Sequence, residues 1–261
     1  MIKKHLLTRL SVTVITKNEA HNIADCLRSV QFADQIVVLD CGSTDDTAKI
    51  AVSMGAEFDV RADWEGFGIQ KNRALSAASC DWVLSLDADE RITPKLAAEI
   101  QAVLTKPLFD VYSIPRQSSF CGQYIYHSGW SPDRVIRLFR RNSAIFSDDL
   151  VHERVVTKHK VGALKSAMLH ESYLNLESVL DKANRYSTAG AQLLFNKGKK
   201  GTLGSALLHG SWAFFRTYFL RLGFLDGRLG LVLALSVAEA TYYRYLKLWM
   251  LQRVRLDADS C

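Results

Sequence analysis

The first hundred residues alternate between short apolar runs and stretches whose apolar positions recur at helical spacing. Ser11–Thr16 is a β-branched run, and Ile23, Leu27 and Val30 after it fall on one helix face. Gln35–Asp40 is a second apolar strand. Ser43, Thr44, Asp45 and Asp46 then offer capping oxygens to a helix over Thr47–Met54, which Gly55 stops. Ala56–Val60 predicts a third strand, Gly68–Ala78 a helix and Asp81–Asp87 a fourth strand. Thr93 and Pro94 open a further helix that runs through Leu104. Strands alternating with helices predict an α/β fold with a mostly parallel sheet covered on both faces. Ligands of such sheets collect at the carboxyl ends of the strands, where Thr16–Glu19, Asp40 and Asp87 all stand.

From Phe109 to His170 the helical period fades. Val111–Pro115 and Val135–Phe139 read as strands between aromatic, glycine-containing loops. After Leu174 the positions Leu176, Val179, Leu180, Ala183 and Tyr186 return to core spacing on a helix. Gly198–Gly201 breaks that helix before two apolar, basic ones. The pattern predicts a front domain over residues 1–172 and a helical region over 173–261.

Composition narrows the class. With 261 residues, 48% hydrophobic and 23% charged, the chain can bury a sizeable core and is not disordered. Cys26, Cys41, Cys80, Cys121 and Cys261 are odd in number and show no C-x-x-C pairing. That predicts reduced thiols in a cytoplasmic setting and no structural zinc. The basic N-terminus leads into an apolar stretch broken by Arg9, so no export signal is expected. Leu203–Phe215 and Leu229–Ala238 end at Arg216 and Glu239, short of the roughly 18 apolar residues of a transmembrane helix. The net charge of +6 resides in the last quarter, where 10 basic residues face 4 acidic ones after Asn196. This segment is also rich in Trp, Phe, Tyr and Leu, which favours an anionic membrane surface over nucleic acid as its partner.

The chemistry-bearing residues lie in the front half. Gly-x-Gly-x-x-Gly and P-loop patterns are absent. Asp87-Ala88-Asp89 instead ends an apolar strand, where two carboxylates can reach one cation. Hard oxygen ligands suit Mg²⁺ or Mn²⁺, which also bind diphosphate oxygens. Asn18 and Glu19 could equally cap the following helix, and Asp40 could cap a turn. Lys71 and Arg73 could form a solvated helix face.

Four segments occur in order: Ser11–Glu19 with its Asn-Glu pair, Ile36–Asp45 as I-V-V-L-D-C-G-S-T-D, Gln70–Leu75 as Q-K-N-R-A-L, and Leu84–Glu90 as L-S-L-D-A-D-E. Together they resemble the inverting glycosyltransferases of family 2, with the Rossmann-like GT-A fold. Arg134–Arg141 and Val151-His152-Glu153 resemble the subgroup of lipopolysaccharide core β-1,4-glucosyltransferases. The resemblance implies a nucleotide-diphospho-sugar donor, UDP-glucose, and a divalent cation. It implies a lipid-linked saccharide acceptor, the inner-core heptose of lipopolysaccharide, and an enzyme peripheral on the inner face of the cytoplasmic membrane. Asp40 would face the base, Asn18 and Glu19 the nucleoside, and Arg73 with Lys71 the base or diphosphate. Asp87 would approach the ribose and metal, Asp89 would bind the metal, and His152 could touch metal or phosphate.

Inversion requires a general base for the acceptor hydroxyl. Glu153 is the first candidate and Asp133 in Ser-Pro-Asp-Arg the second. The Gln-x-x-Arg-Trp motif of processive synthases is absent, which favours transfer of a single hexose. Two other readings stand beside this one: a polyprenyl-phosphate glycosyltransferase, and a non-catalytic membrane-attached nucleotide-sugar binder. The oligomeric state is left open.

Overall fold

The computed structural model describes residues 8–148 and 154–258, with side chains as far as Arg253. Its elements, in chain order, are β1 (Leu10–Thr16), α1 (Ile23–Ser29), β2 (Gln35–Asp40), α2 (Thr47–Ser53), β3 (Glu57–Val60), α3 (Phe67–Ala77) and β4 (Trp82–Asp87). There follow β5 (Glu90–Ile92), α4 (Pro94–Thr105), β6 (Val111–Phe120), β7 (Gln123–Tyr124), β8 (Asp133–Arg140), β9 (Ile145–Phe146), β10 (Val155–Val156), β11 (Val161–Ala163) and β12 (Met168–Tyr173). The chain ends in α5 (Leu176–Asn196), α6 (Leu203–Phe215) and α7 (Gly227–Ala258). A π-helical turn over Arg216–Leu220 and a 3₁₀ turn over Gly223–Asp226 separate the last two.

The chain divides into two compact units, one reaching to Arg116 and including Asp133–His170, the other comprising Gln117–Pro132 and the residues from Glu171 onward. In the first unit, the strands run β3-β2-β1-β4-β8-β6. The first four are parallel, as the alternating pattern predicts, and β8 joins β4 antiparallel. The register sets Thr16 beside Asp40 and Ile15 beside Asp87, so the polar ends of β1, β2 and β4 share one sheet edge. Continuous apolar strands bury both faces: Val12, Val14, Val38, Leu84 and Leu86 lie in one core with Ile23 and Leu27 of α1 and Leu96 and Ile100 of α4. The Thr93 hydroxyl caps α4 by accepting from the Leu96 N–H, with Pro94 at the first helical position.

In the second unit, α7 packs against both α5 and α6. Two reciprocal capping boxes open the shorter helices, Asn175 with Ser178 on α5 and Thr202 with Ser205 on α6. Leu222, at φ 56°, turns the chain between α6 and α7. A Cβ on Gly230 would stand 1.9 Å from the Gly223 carbonyl oxygen, so this corner requires glycine. The buried Asp226 carboxylate accepts from the N–H groups of Tyr126 and His127 and from the Ser128 hydroxyl, tying residues 126–128 to the helical corner. Phe120, Trp130 and Tyr173 pack as an aromatic cluster beside Ile125, Val179 and Leu233.

Among the described residues Cys26, Cys41, Cys80 and Cys121 are free thiols. No described helix is long and apolar enough to cross a membrane.

Candidate functional site

Two loops at the sheet edge are stitched together by their own polar groups. Asn18 adopts the left-handed conformation, φ 56°, which asparagine tolerates better than most side chains. Its N–H donates to the Ser43 hydroxyl at 2.7 Å, and its Oδ1 accepts from the Thr44 N–H at 2.8 Å. The Glu19 N–H donates to the Thr47 hydroxyl at 2.9 Å, and the Ala20 N–H to Asp45 at 3.1 Å. The Asn-Glu pair thus anchors the loop after β1 to the loop after β2. The Glu19 carbonyl also accepts from the N–H groups of Asn22 and Ile23 at the start of α1.

Asp40 is the buried hub of the second loop. Its carboxylate accepts from the Thr16 hydroxyl, the N–H groups of Gly42 and Ser43, and the Ser43 hydroxyl, at 2.5 to 2.9 Å. Those donors occupy the roughly four lone-pair sites of a carboxylate, so Asp40 shapes the turn after β2. Gly42, at φ +84° and with a would-be Cβ 3.5 Å from the Ala62 side chain, lets the turn close.

At the end of β4 the two aspartates of the triplet separate. Asp87 lies between cations: Oδ1 accepts from Lys71 at 2.8 Å and Oδ2 from Arg137. The same Arg137 Nη2 reaches Glu90, fully buried, at 2.7 Å, and the Asp87 N–H donates back to Glu90 at 3.0 Å. Desolvation pushes the Asp87 carboxyl up, but Arg137 and then Lys71 outweigh it and hold it well below the usual carboxylate range. Lys71 is 2% exposed, so it belongs to the interior of this cluster and not to a solvated helix face. Arg116 extends the cluster, lying 3.6 Å from Glu90 and gripping Asp133 through two nitrogens at 2.7 and 2.8 Å. Arg73 turns elsewhere, to the Asp63 carbonyl and carboxylate and to Glu65.

Asp89 has a different partner. Its Oδ2 lies 3.3 Å from His170 Nε2. Burial, with a further push from the Asp89 charge, raises the Glu19 carboxyl above its ordinary value despite the hydrogen bond from Asn22. His21 and Arg91 act on Glu19 in the opposite sense to Asp89. Among the described residues no cluster of three or more His, Cys, Asp or Glu side chains could hold a metal. Mg²⁺ commonly takes one or two carboxylates and completes its shell with water and substrate phosphates. Asp89 fits that role, whereas Asp87, expected to approach the metal, has both oxygens committed to Lys71 and Arg137.

The remaining candidates, His152 and Glu153, lie outside the described residues. The segment that carries them is bounded by described contacts. The Asn72 side chain pairs with both the N–H and the carbonyl of Phe146, at 2.9 and 2.8 Å. The Ser147 N–H donates to the Arg154 carbonyl and the Arg154 N–H to the Ser147 hydroxyl.

Arg137, Glu90, Arg116 and His170 join the cluster without an expectation from the sequence behind them. An arginine inside the apolar run V-I-R-L-F of β8 was the available signal, because a charge so placed needs a buried partner.

Comparison with known proteins identifies the family. The family model described as "Glycosyl transferase family 2" matches residues 11–165. An uncharacterized glycosyltransferase of Rickettsia felis is 32% identical over 259 residues, spanning 93% of this chain and 90% of that protein. The lipopolysaccharide core biosynthesis glycosyltransferase LpsC of Rhizobium meliloti is 29% identical over 255 residues, 90% of this chain and 93% of its own. Among solved structures, glucosyl-3-phosphoglycerate synthase of Mycobacterium tuberculosis, in complex with Mn²⁺, UDP and glucosyl-3-phosphoglycerate, is 26% identical over an alignment that covers 43% of this chain and 44% of its own, with a TM-score of 0.37. The chain belongs to glycosyltransferase family 2.

Proposed function

We propose that this glycosyltransferase is an inverting, metal-dependent enzyme that moves one hexose from a nucleotide-diphospho-sugar, UDP-glucose, to a lipid-linked saccharide. The acceptor in this reading is the inner-core heptose of lipopolysaccharide, in line with the likeness to LpsC. The observation that carries the reading is the divergence of the Asp87 and Asp89 side chains at the end of β4. Asp87 is locked by Lys71 and Arg137, while Asp89 pairs with His170 instead. A Mg²⁺ or Mn²⁺ ion held by Asp89 would neutralise the charge that develops on the departing diphosphate.

The chain's own residues have distinct parts in this proposal. Asn18 and the Ser43–Thr47 loop shape the nucleoside side of the edge, with Asp40 setting the turn behind them. Lys71 and Arg137 hold the Asp87 carboxylate ionised and fixed, toward the ribose. Glu153 takes the proton of the acceptor hydroxyl, with Asp133 the second candidate. Arg73, tied to Asp63 and Glu65, lines the loop before α3 and meets the donor from there.

The test is an assay of purified enzyme with a panel of nucleotide sugars and heptose-terminated lipid acceptor, the product linkage being read by NMR. A β-linked glucose appearing only with UDP-glucose and a divalent ion is the expected result. Glu153→Gln should bind donor and transfer poorly; if Asp133→Asn is instead the inactive variant, the base is Asp133. Indifference to both substitutions would favour a phosphate acceptor, which needs no base. Donor binding without hydrolysis or transfer would favour the non-catalytic reading. The basic C-terminal region would hold the enzyme on an anionic membrane surface, where a lipid-linked acceptor resides.

A further inference from the structure

The second unit displays apolar side chains where a soluble surface normally shows charge. Along α6 and the π-helical turn after it, Leu208, Trp212, Phe215 and Phe219 recur at steps of three or four residues and are each 44 to 70% exposed. Leu203 and Leu207, on another face of the first turns, are 46 and 55% exposed. The row continues into the corner between α6 and α7, where Leu220, Leu222, Phe224 and Leu225 are all exposed. Aromatic rings pack along it, Trp212 stacked on Phe215 at 5.9 Å and Phe215 tilted against Phe219 at 5.2 Å. An apolar row continued over a helix and its corner marks an interaction surface, unlike single exposed leucines.

The charges around this row indicate what covers it. Arg221 and Arg228 are exposed at the corner, and Lys199 and Lys200 are exposed ahead of α6. The corner's carboxylate, Asp226, is buried and consumed by residues 126–128. The exposed acid between Lys197 and Arg253 is Glu239, on α7. Trp and Phe favour the headgroup level of a bilayer, and cations beside an apolar face add attraction to anionic lipid. No described helix can span a membrane, so the row would lie in the interface plane.

We propose that the exposed row of α6 and the Leu220–Leu225 corner form a monotopic insertion surface, seated in the interfacial layer of an anionic bilayer. This deepens the membrane-surface part of the proposed function and rests on it, but it does not depend on which sugar or acceptor is used. It assigns the apolar contribution to named residues and the electrostatic contribution to the flanking Arg and Lys.

The experiment is sedimentation of the full chain with phosphatidylcholine vesicles with and without phosphatidylglycerol, at low and high salt. Quenching of tryptophan fluorescence by brominated acyl chains is read alongside. The protein is expected to pellet with the anionic vesicles at low salt and to be released by high salt. The quenching is expected to shrink in Trp212→Phe. The double variant Leu220→Glu with Leu225→Glu should weaken vesicle binding by about tenfold or more, since each change removes one buried leucine and adds a charge. Leu108→Glu, at an exposed leucine of the other unit, should leave binding unchanged. Failure to pellet with either vesicle, or pelleting that the double variant does not alter, overturns the proposal. So does a dimer seen by light scattering that the double variant dissolves without vesicle binding, because a second copy would then cover the row. Assay of the wild type with UDP-glucose reports the transferase reading separately: neither hydrolysis nor transfer, with vesicle binding intact, would sink the reaction and leave the surface standing.

Discussion

In the first unit ionised side chains are drawn inward: Lys71 and Glu90 are almost fully enclosed, and each meets an opposite charge within 3 Å. In the second unit the reverse holds, with Trp212, Phe219 and Leu225 turned to solvent while Asp226 is the buried acid. The paired interior charges hold one geometry, because removing any partner leaves an uncompensated buried ion. The outward apolar row instead leaves free energy to be gained from a further contact. A chemical site calls for the first arrangement and a docking surface for the second.

The largest effect that would sharpen this contrast is on turnover. Asp89→Ala should reduce transfer by at least about a hundredfold, as loss of a transition-state charge stabiliser does. Thermal unfolding of the variant should stay near that of the wild type; normal turnover would remove Asp89 from the site. Arg137→Met comes next. It strips both Asp87 and Glu90 of their shared cation and should cost about 3 kcal/mol or more in urea unfolding. The Leu225→Glu change in the second unit should move stability by less than about 0.5 kcal/mol. Equal stability losses in the two variants would break the contrast. Thr202→Ala, at the cap of α6, should cost about 1 kcal/mol.

The smallest expected effect concerns acid. Burial raises the Glu99 carboxyl, but hydrogen bonds from the N–H groups of Lys165 and Ser166 outweigh it and hold the group below its ordinary value of 4.5. Its contribution is therefore present above that value and lost as pH falls through the lowered one. Glu99→Gln should flatten the acid limb of a stability–pH curve, and an unaltered limb would show that this carboxylate carries no linkage.

Much of the first unit was legible because its signals are local. A β-branched run ending in a carboxylate, then a capping cluster and a helix, names the strand, its end and the loop without long-range information. The pairing of Arg137 with Asp87 and Glu90 was not legible. It depends on β8 joining β4 antiparallel, with Leu138 opposite Leu84, and no short pattern encodes that register. The burial of Lys71 was not legible for the same reason: on α3 alone a solvated face stood open beside a place near the donor, and only the Asp87 carboxylate explains the burial. Asp40 was legible as the cap of a turn, but the number of donors around it had to be seen in three dimensions. The inclusion of Gln117–Pro132 in the helical unit has no sequence signature beyond Asp226 itself, a lone acid whose partners lie about a hundred residues upstream.

The clip between Asn72 and Phe146 has a consequence for evolvability. A side-chain amide that engages both backbone groups of one residue acts as a substitute strand edge, and Ser147 bonds to Arg154 directly beside it. The entropic cost of closing a chain between two residues already held together grows only slowly as residues are added. Insertions or deletions between Ser147 and Arg154 are therefore expected to leave the Asn72 clip and the pairing of Phe146 with Val155 in place.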